Sequence, residues 1–153
     1  MIQIQHAADI NRNAWLALCS RSSVSSFFQT KACYDFYSKL NFLTPFLYGV
    51  TEDDKLVGLA CGYLIADGGV VKRYFSRRAI IPGGLLLADD IGKDALISLL
   101  DALKMNLSAK AIYLEIRNYG DYAPFRGVLQ QQGFDYLPHL NIQVPLTSVN
   151  SAF

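Results

Sequence analysis

The sharpest pattern in the chain is the alternation in residues 111–118, AIYLEIRN. Ile112, Leu114 and Ile116 fall on one side, and Tyr113, Glu115 and Arg117 on the other. A period of two marks a β-strand with one buried face. Helical patterns flank it, so the strand is expected to lie centrally in a sheet. Glu115 and Arg117 then either pair with each other or face a cleft. Just upstream, Ile91, Ala95, Leu96, Leu99, Leu100, Leu103 and Leu107 recur at helical spacing, with Asp89 or Asp90 placed as N-cap.

The other elements follow from the same reading. Residues 1–5 alternate and predict a short edge strand. Asp9 is placed to cap a helix that carries Ile10, Ala14, Trp15, Leu18 and Cys19 and runs to about residue 21. A polar loop at 22–26 and a short extended piece at 27–29 follow. Thr30 caps a second helix, with Cys33, Phe36, Tyr37 and Leu40 on one stripe. Pro45 opens an all-β section: strands at 46–51 and 56–66, a polar turn at 52–55, a hairpin turn at Asp67-Gly68-Gly69 and a returning strand at 70–76. Residues 77–84 read as a loop and 85–88 as a short apolar patch. After the strand at 111–117, a helix spans 122–132, with Pro124 in its first turn and Gly133 at its C-terminus. Final strands fall at 134–136 and 140–146. The order is β-α-α-β-β-β-α-β-α-β(-β), a single domain over residues 1–146 with a polar tail at 147–153.

Composition sharpens this picture. The 153 residues are 52% hydrophobic and 18% charged, with a mean hydropathy of +0.20. That supports a large core and leaves apolar surface for another domain or copy to cover. A net charge of +1 argues against global attraction to DNA or to an anionic membrane. Three cysteines without a CxxC spacing and two histidines make neither a disulfide framework nor a zinc site, and buried thiols point to a reducing, cytoplasmic setting. The N-terminus lacks a signal-peptide pattern. The apolar run at 56–66 is far short of the about 20 residues that cross a bilayer, so no membrane span is expected.

In this order, several stretches resemble the GNAT superfamily of N-acyltransferases and, within it, the FemAB-type aminoacyltransferases. SSFFQTKACYDFY at 25–37 is similar to the FemAB FxQT helix start, with Cys33 where tryptophan is frequent. KLVGLACGYLI at 55–65, then a basic hairpin and IIPGGLLLADD at 80–90, resemble its meander and Gly-Gly turn. AIYLEIRN resembles its central strand, and QQGFDYLPHLNIQVPL at 131–146 the end of its first domain. The resemblance implies an α/β, GNAT-like (acyl-CoA N-acyltransferase) fold: a mixed, mostly antiparallel sheet with helices on both faces. It also implies the first half of an enzyme that moves an amino acid from aminoacyl-tRNA to the peptide of a peptidoglycan precursor. The chain would then be incomplete for catalysis alone, lacking a second domain or forming a homodimer. Such a reaction needs an amine and an activated ester, so no metal or organic cofactor is implied. Two other readings stand beside it: a stand-alone acetyl-CoA-dependent N-acetyltransferase, and a non-catalytic self-associating module.

GNAT enzymes hold the pyrophosphate of acetyl-CoA with an Arg/Gln-x-x-Gly-x-Gly/Ala loop at a helix N-terminus. The segment RRAIIPGG is the expected counterpart, but Ile81 stands at the first glycine position and Pro82 removes an N–H donor. Arg77 and Arg78 belong to a basic segment, 72–78, that reads as a solvated strand edge or as a grip on a diphosphate. Arg117, Asn118 and Tyr119 stand at the C-terminal end of a strand, where open sheets place ligands. Gln29 and Lys31 open the second helix. Where FemAB-type proteins have a phosphate-contacting lysine, this chain has Tyr37, with Lys39 nearby. The candidate substrate-binding residues are therefore Gln29, Lys31, Arg77, Arg78, Arg117, Asn118 and Tyr119. No catalytic residue is assigned: Cys33 falls on a buried stripe, and neither His6 nor His139 has the neighbours of a triad.

Overall fold

A computed structural model describes residues 1–69, 72, 75–140 and 142. Its elements are β1 (Ile2–His6), α1 (Arg12–Ser20), α2 (Lys31–Ser38), β2 (Thr44–Glu52), β3 (Lys55–Ile65), β4 (Arg78–Gly83), β5 (Leu86–Leu87), α3 (Lys93–Leu107), β6 (Tyr113–Asn118) and α4 (Arg126–Gln131). Short 3-10 turns at Phe27–Gln29 and Ala123–Phe125 lead into α2 and α4. The sheet order is β1-β2-β3-β4-β6, antiparallel from β1 to β4 and parallel between β4 and β6. β5 extends the β4 side of β3, pairing Leu86 and Leu87 with Leu59 and Gly58.

Strand parity assigns the two faces. Tyr63 on β3 meets Tyr37 of α2, with ring centroids 4.9 Å apart. Gly58 lies an odd number of residues away and so faces the other side, where a Cβ would run into Leu99 of α3. Helices thus cover both faces of a mixed sheet. The α3 stripe read from the sequence is the centre of the core: Leu99, Leu100 and Leu103 have no exposed surface. Burying each such leucine stabilises the fold by roughly 1.5–3 kcal/mol.

Several local expectations are corrected. Asn11, not Asp9, caps α1, its side chain accepting from the Asn13 and Ala14 N–H groups at 2.8 and 3.2 Å. Phe27–Gln29 is a 3-10 turn rather than extended chain. Thr30 does cap α2, through the Cys33 N–H, but Phe36 on the predicted stripe is 55% exposed. Gly92, not Asp89 or Asp90, is the N-cap residue of α3. The largest correction concerns residues 77–84. They hold β4, which pairs with the end of β3 and is therefore the third strand of the meander. Of the strand expected at 70–76, the described residues are not strand, 72 and 75 being helical and 76 in a turn, and the others lie outside the described residues. β6 has the predicted faces but stands at the end of the sheet order among the described residues, not at its centre. Residues 134–136 form no strand, and most of 140–146 and all of 147–153 lie outside the described residues.

Leu99→Ala is expected to cost about 2–5 kcal/mol by leaving a cavity between α3 and the sheet, whereas Leu16→Ala on the exposed side of α1 should stay within about 0.5 kcal/mol of the native chain. Urea unfolding of both variants checks this.

Candidate functional site

β4 and β6 are the parallel pair of the described sheet, and they stay in register to Gly83 opposite Asn118. Open α/β sheets bind ligands in the crevice beyond the C-terminal ends of parallel strands. Here β4 breaks off at two consecutive glycines, Gly83 and Gly84, with φ of +79° and +86°. Those angles are strained for any residue with a Cβ. β4 keeps its β3 partners only from Arg78 to Ile80, and the chain regains β3 at Leu86, so the carbonyls of Gly83, Gly84 and Leu85 lie between the two β3 pairings.

Side chains from two distant segments take those carbonyls. The buried Gln29 carboxamide Nε2 donates to Gly83 O at 3.0 Å and Gly84 O at 3.1 Å. Its Oε1 accepts from the Ser26 N–H at 2.6 Å. The Tyr122 hydroxyl donates to Leu85 O at 2.6 Å, and lies 3.2 Å from both Gly83 O and Gln29 Nε2. Burial pushes the Tyr122 phenol well up, the Gln29 contact offsetting part of the shift, so it stays a neutral donor. A Cβ on Gly84 would collide with the Tyr122 hydroxyl and the Asn118 carboxamide, which explains the need for glycine there. At the mouth, Phe28 and Tyr119 meet edge to face at 5.3 Å.

A second feature lies on the face of β4 and β6 that Tyr63 shares. The register sets Arg78 opposite Tyr113, Ile80 opposite Glu115 and Pro82 opposite Arg117. Arg117 Nε and Nη2 grip the Glu115 carboxylate at 2.8 and 3.2 Å, so the i, i+2 pairing anticipated from the sequence is present. Arg78 donates to Asp67 at 2.7 Å. Hydrogen bonding from Arg117 is the main cause that holds Glu115 below the usual carboxylate range; burial opposes it, and the charges of Arg117 and Arg78 add to it. A carboxylate held ionised in this way is a poor general base.

The predicted residues therefore divide. Gln29, Asn118 and Tyr119 meet at the crevice, and Arg78 and Arg117 share the open sheet face. Lys31 lies apart, paired with Asp35 one turn along α2 at 2.7 Å. Arg77 sits at the opposite, N-terminal end of β4, where its guanidinium reaches Ala109 O at 3.4 Å and its carbonyl accepts from Ile112. Sequence reasoning missed Tyr122, whose partner Gly83 is 39 residues away. No local pattern signals that contact. It also missed Tyr63 and Phe28. Among the described residues, no group of histidine, cysteine and carboxylate side chains could hold a metal ion, and no helix is long and apolar enough to cross a membrane.

No family model matches the chain, and no curated protein matches it in sequence. Solved structures do match. An aminoglycoside acetyltransferase from an uncultured soil metagenomic sample is 15% identical, with 95% of this chain and 99% of that one covered and a TM-score of 0.61. The ribosomal-protein-S18-alanine N-acetyltransferase of Escherichia coli is 15% identical over 90% of this chain and 80% of its own, with a TM-score of 0.58. A predicted acetyltransferase of Clostridium acetobutylicum, solved with acetyl-CoA, is 15% identical over 95% and 97%, with a TM-score of 0.56. The chain has the GNAT fold.

Whether this GNAT domain suits the pyrophosphate of an acyl-CoA is decided at the N-terminus of α3. The segment RRAIIPGG is not the loop before that helix, because most of it is β4. The residues that do lead in are 88–92, Ala-Asp-Asp-Ile-Gly. A Cβ on Gly92 would lie 2.9 Å from the Glu52 carboxylate, which is packed against the cap. Asp94 sits in the first turn, Asp90 lies 3.8 Å from Lys55, and Asp89 is tied to the Ser23 N–H and hydroxyl at 2.9 and 2.7 Å. The helix dipole is thus already met by carboxylates, with Lys55, near Asp90, and Lys93, the first residue of the helix, as nearby cations. These residues do not fit a pyrophosphate.

Two measurements probe the site. Gln29→Leu should destabilise the fold by about 2–4 kcal/mol, because it strands buried carbonyls and the Ser26 N–H, while Lys31→Ala should cost less than about 0.5 kcal/mol, as judged by urea unfolding. For Glu115, a depressed folded-state pKa adds stability that is present above the ordinary carboxylate pKa and lost as pH falls through the folded value. The native chain should therefore exceed Glu115→Gln in stability by a small margin at pH 7, and that margin should vanish as pH falls through the folded pKa.

Proposed function

We propose that this GNAT-fold domain works as the acceptor-binding first half of a FemAB-type aminoacyltransferase acting on a peptidoglycan precursor. The observation that carries the reading is the open face of β4 and β6. Two arginines, Arg78 and Arg117, stand there beside Tyr63 and Tyr113, with Tyr113 48% exposed, and Tyr119 at the neighbouring crevice mouth is 37% exposed. Such a face suits an anionic, partly apolar acceptor too large for an enclosed pocket. The carboxylates around α3 argue in the same direction, since they disfavour a CoA-type donor.

In this reading the acceptor amine attacks the ester carbonyl of an aminoacyl-tRNA. The amine–carbon bond forms, the ester C–O bond breaks, and the ribose hydroxyl of the tRNA leaves with the proton lost by the amine. The domain contributes positioning of the acceptor. A second domain, or a second copy, would complete the site.

A stand-alone N-acetyltransferase is the second reading. It is favoured by solved acetyltransferases whose whole length matches this chain, such as the aminoglycoside 6'-N-acetyltransferase of Acinetobacter baumannii, covered over 97% of this chain and 100% of its own at a TM-score of 0.59.

Thermal unfolding with the nucleotide-linked peptidoglycan precursor and, separately, with acetyl-CoA separates the two. The precursor is expected to raise Tm for the native chain and not for Arg117→Ala. A rise with acetyl-CoA alone would favour the second reading.

A further inference from the structure

The crevice beyond β4 and β6 is where this sheet would be expected to receive a ligand, yet the chain has filled it with its own side chains. The acyl-bearing arm of an acyl-CoA is a slim chain with amide groups. Such a chain binds a parted strand by hydrogen-bonding to backbone groups that the sheet leaves free. The carbonyls of Gly83, Gly84 and Leu85 lie at the turn between the two β3 pairings, and all three are already accepting from Gln29 or Tyr122. Neither side chain is an exposed flap. Gln29 has no exposed surface and Tyr122 only 7%. The turn that carries Gln29 is pinned from behind as well, because the indole N–H of Trp15 donates to Gln29 O at 2.8 Å.

We infer that Gln29 and Tyr122 are specificity-determining residues that close this domain to an acyl-CoA donor by occupying the crevice themselves. An acyl group delivered to an amine on this domain then comes on another kind of carrier. The inference rests on the N-acyltransferase reading for its meaning, but the closure itself is a property of the fold and is testable by binding alone.

Trp15 is the single tryptophan of the chain, so its indole N–H resonance reports directly on the Gln29 turn. In the native chain, acetyl-CoA or CoA to about 1 mM should move neither that resonance nor Tm, a concentration that would reveal even millimolar affinity. A saturable shift of the Trp15 resonance together with a rise in Tm would overturn the closure. A rise in Tm with the resonance unmoved would place the donor elsewhere on the domain and would equally overturn the inference that the domain is closed to it. Tyr122→Ala, which removes the phenol and releases Leu85 O, should bind acetyl-CoA at least about tenfold more tightly than the native chain. A folded Tyr122→Ala with no gain would show that these side chains are not what excludes the donor. If that variant does not fold, Tyr122→Phe keeps the ring, releases Leu85 O, and should show a gain in the same direction; no gain there would count equally against the inference. None of these readouts measures transfer, so a domain that never transfers an acyl group would defeat the functional reading without touching this one.

Discussion

The structure depends on how the chain satisfies three backbone carbonyls at one break in its sheet. β3 is long enough to hold two successive partners, β4 near its end and β5 near its start. Between the two the chain is off β3 from Ile81 to Leu85 and turns through Gly83 and Gly84, and buried carbonyls without a strand partner need donors from elsewhere. Gln29 and Tyr122 provide them. Each such bond contributes only about 1 kcal/mol net, but leaving a buried partner unpaired costs about 1–3 kcal/mol. That asymmetry makes the arrangement hard to give up in part. It ties the turn before α2, the break in β4 and the segment after β6 into one unit, with Trp15 of α1 fixed behind it.

The sheet separates two environments. On one side of the sheet, α3 packs its leucines against β2 and β3 and makes a dry core. On the other, the ends of β4 and β6 carry paired charges and tyrosines that stay in contact with solvent. Charge is managed differently in the two places. At the N-terminus of α3, carboxylates meet the positive end of the helix and leave little welcome for a bound anion. On the open face, arginines are balanced one to one, Arg78 by Asp67 and Arg117 by Glu115. At half-exposed positions these pairs add little stability, so an anionic ligand could compete for an arginine at modest cost. The GNAT fold is thus present with carboxylates at the N-terminus of α3 and with paired arginines on the sheet face.

Much of the architecture was legible in the sequence because it is encoded by local period and local chemistry. The stripe on α3, the alternation of β6, Thr30 as a cap, and Gly133, with φ of +81°, after α4 each depend on residues within a turn or two of one another. The i, i+2 pairing of Glu115 with Arg117 belongs to the same class, since adjacent same-face positions of one strand must meet. Local reading also failed in local ways. Asn11 displaced Asp9 as a cap, and a 3-10 turn replaced extended chain at Phe27–Gln29, because either choice satisfies the same short pattern.

What tertiary structure alone decided is everything set by contacts between distant segments. Nothing in RRAIIPGG says whether it is a loop or a strand; it becomes β4 because the end of β3 and the length of β6 offer it partners on both edges. Gln29 read as a substrate-binding candidate at a helix start and is buried, since Gly83 and Gly84, more than fifty residues away in the chain, present the carbonyls it bonds. Tyr122 had no signal at all for the same reason. The sequence by itself determined the elements and the faces they bury, through periodicities that need only neighbours. Which strands pair, where the sheet parts and which side chains fill the parting were decided by hydrogen-bond groups that must be satisfied across the fold, and those requirements exist only once the distant segments are side by side.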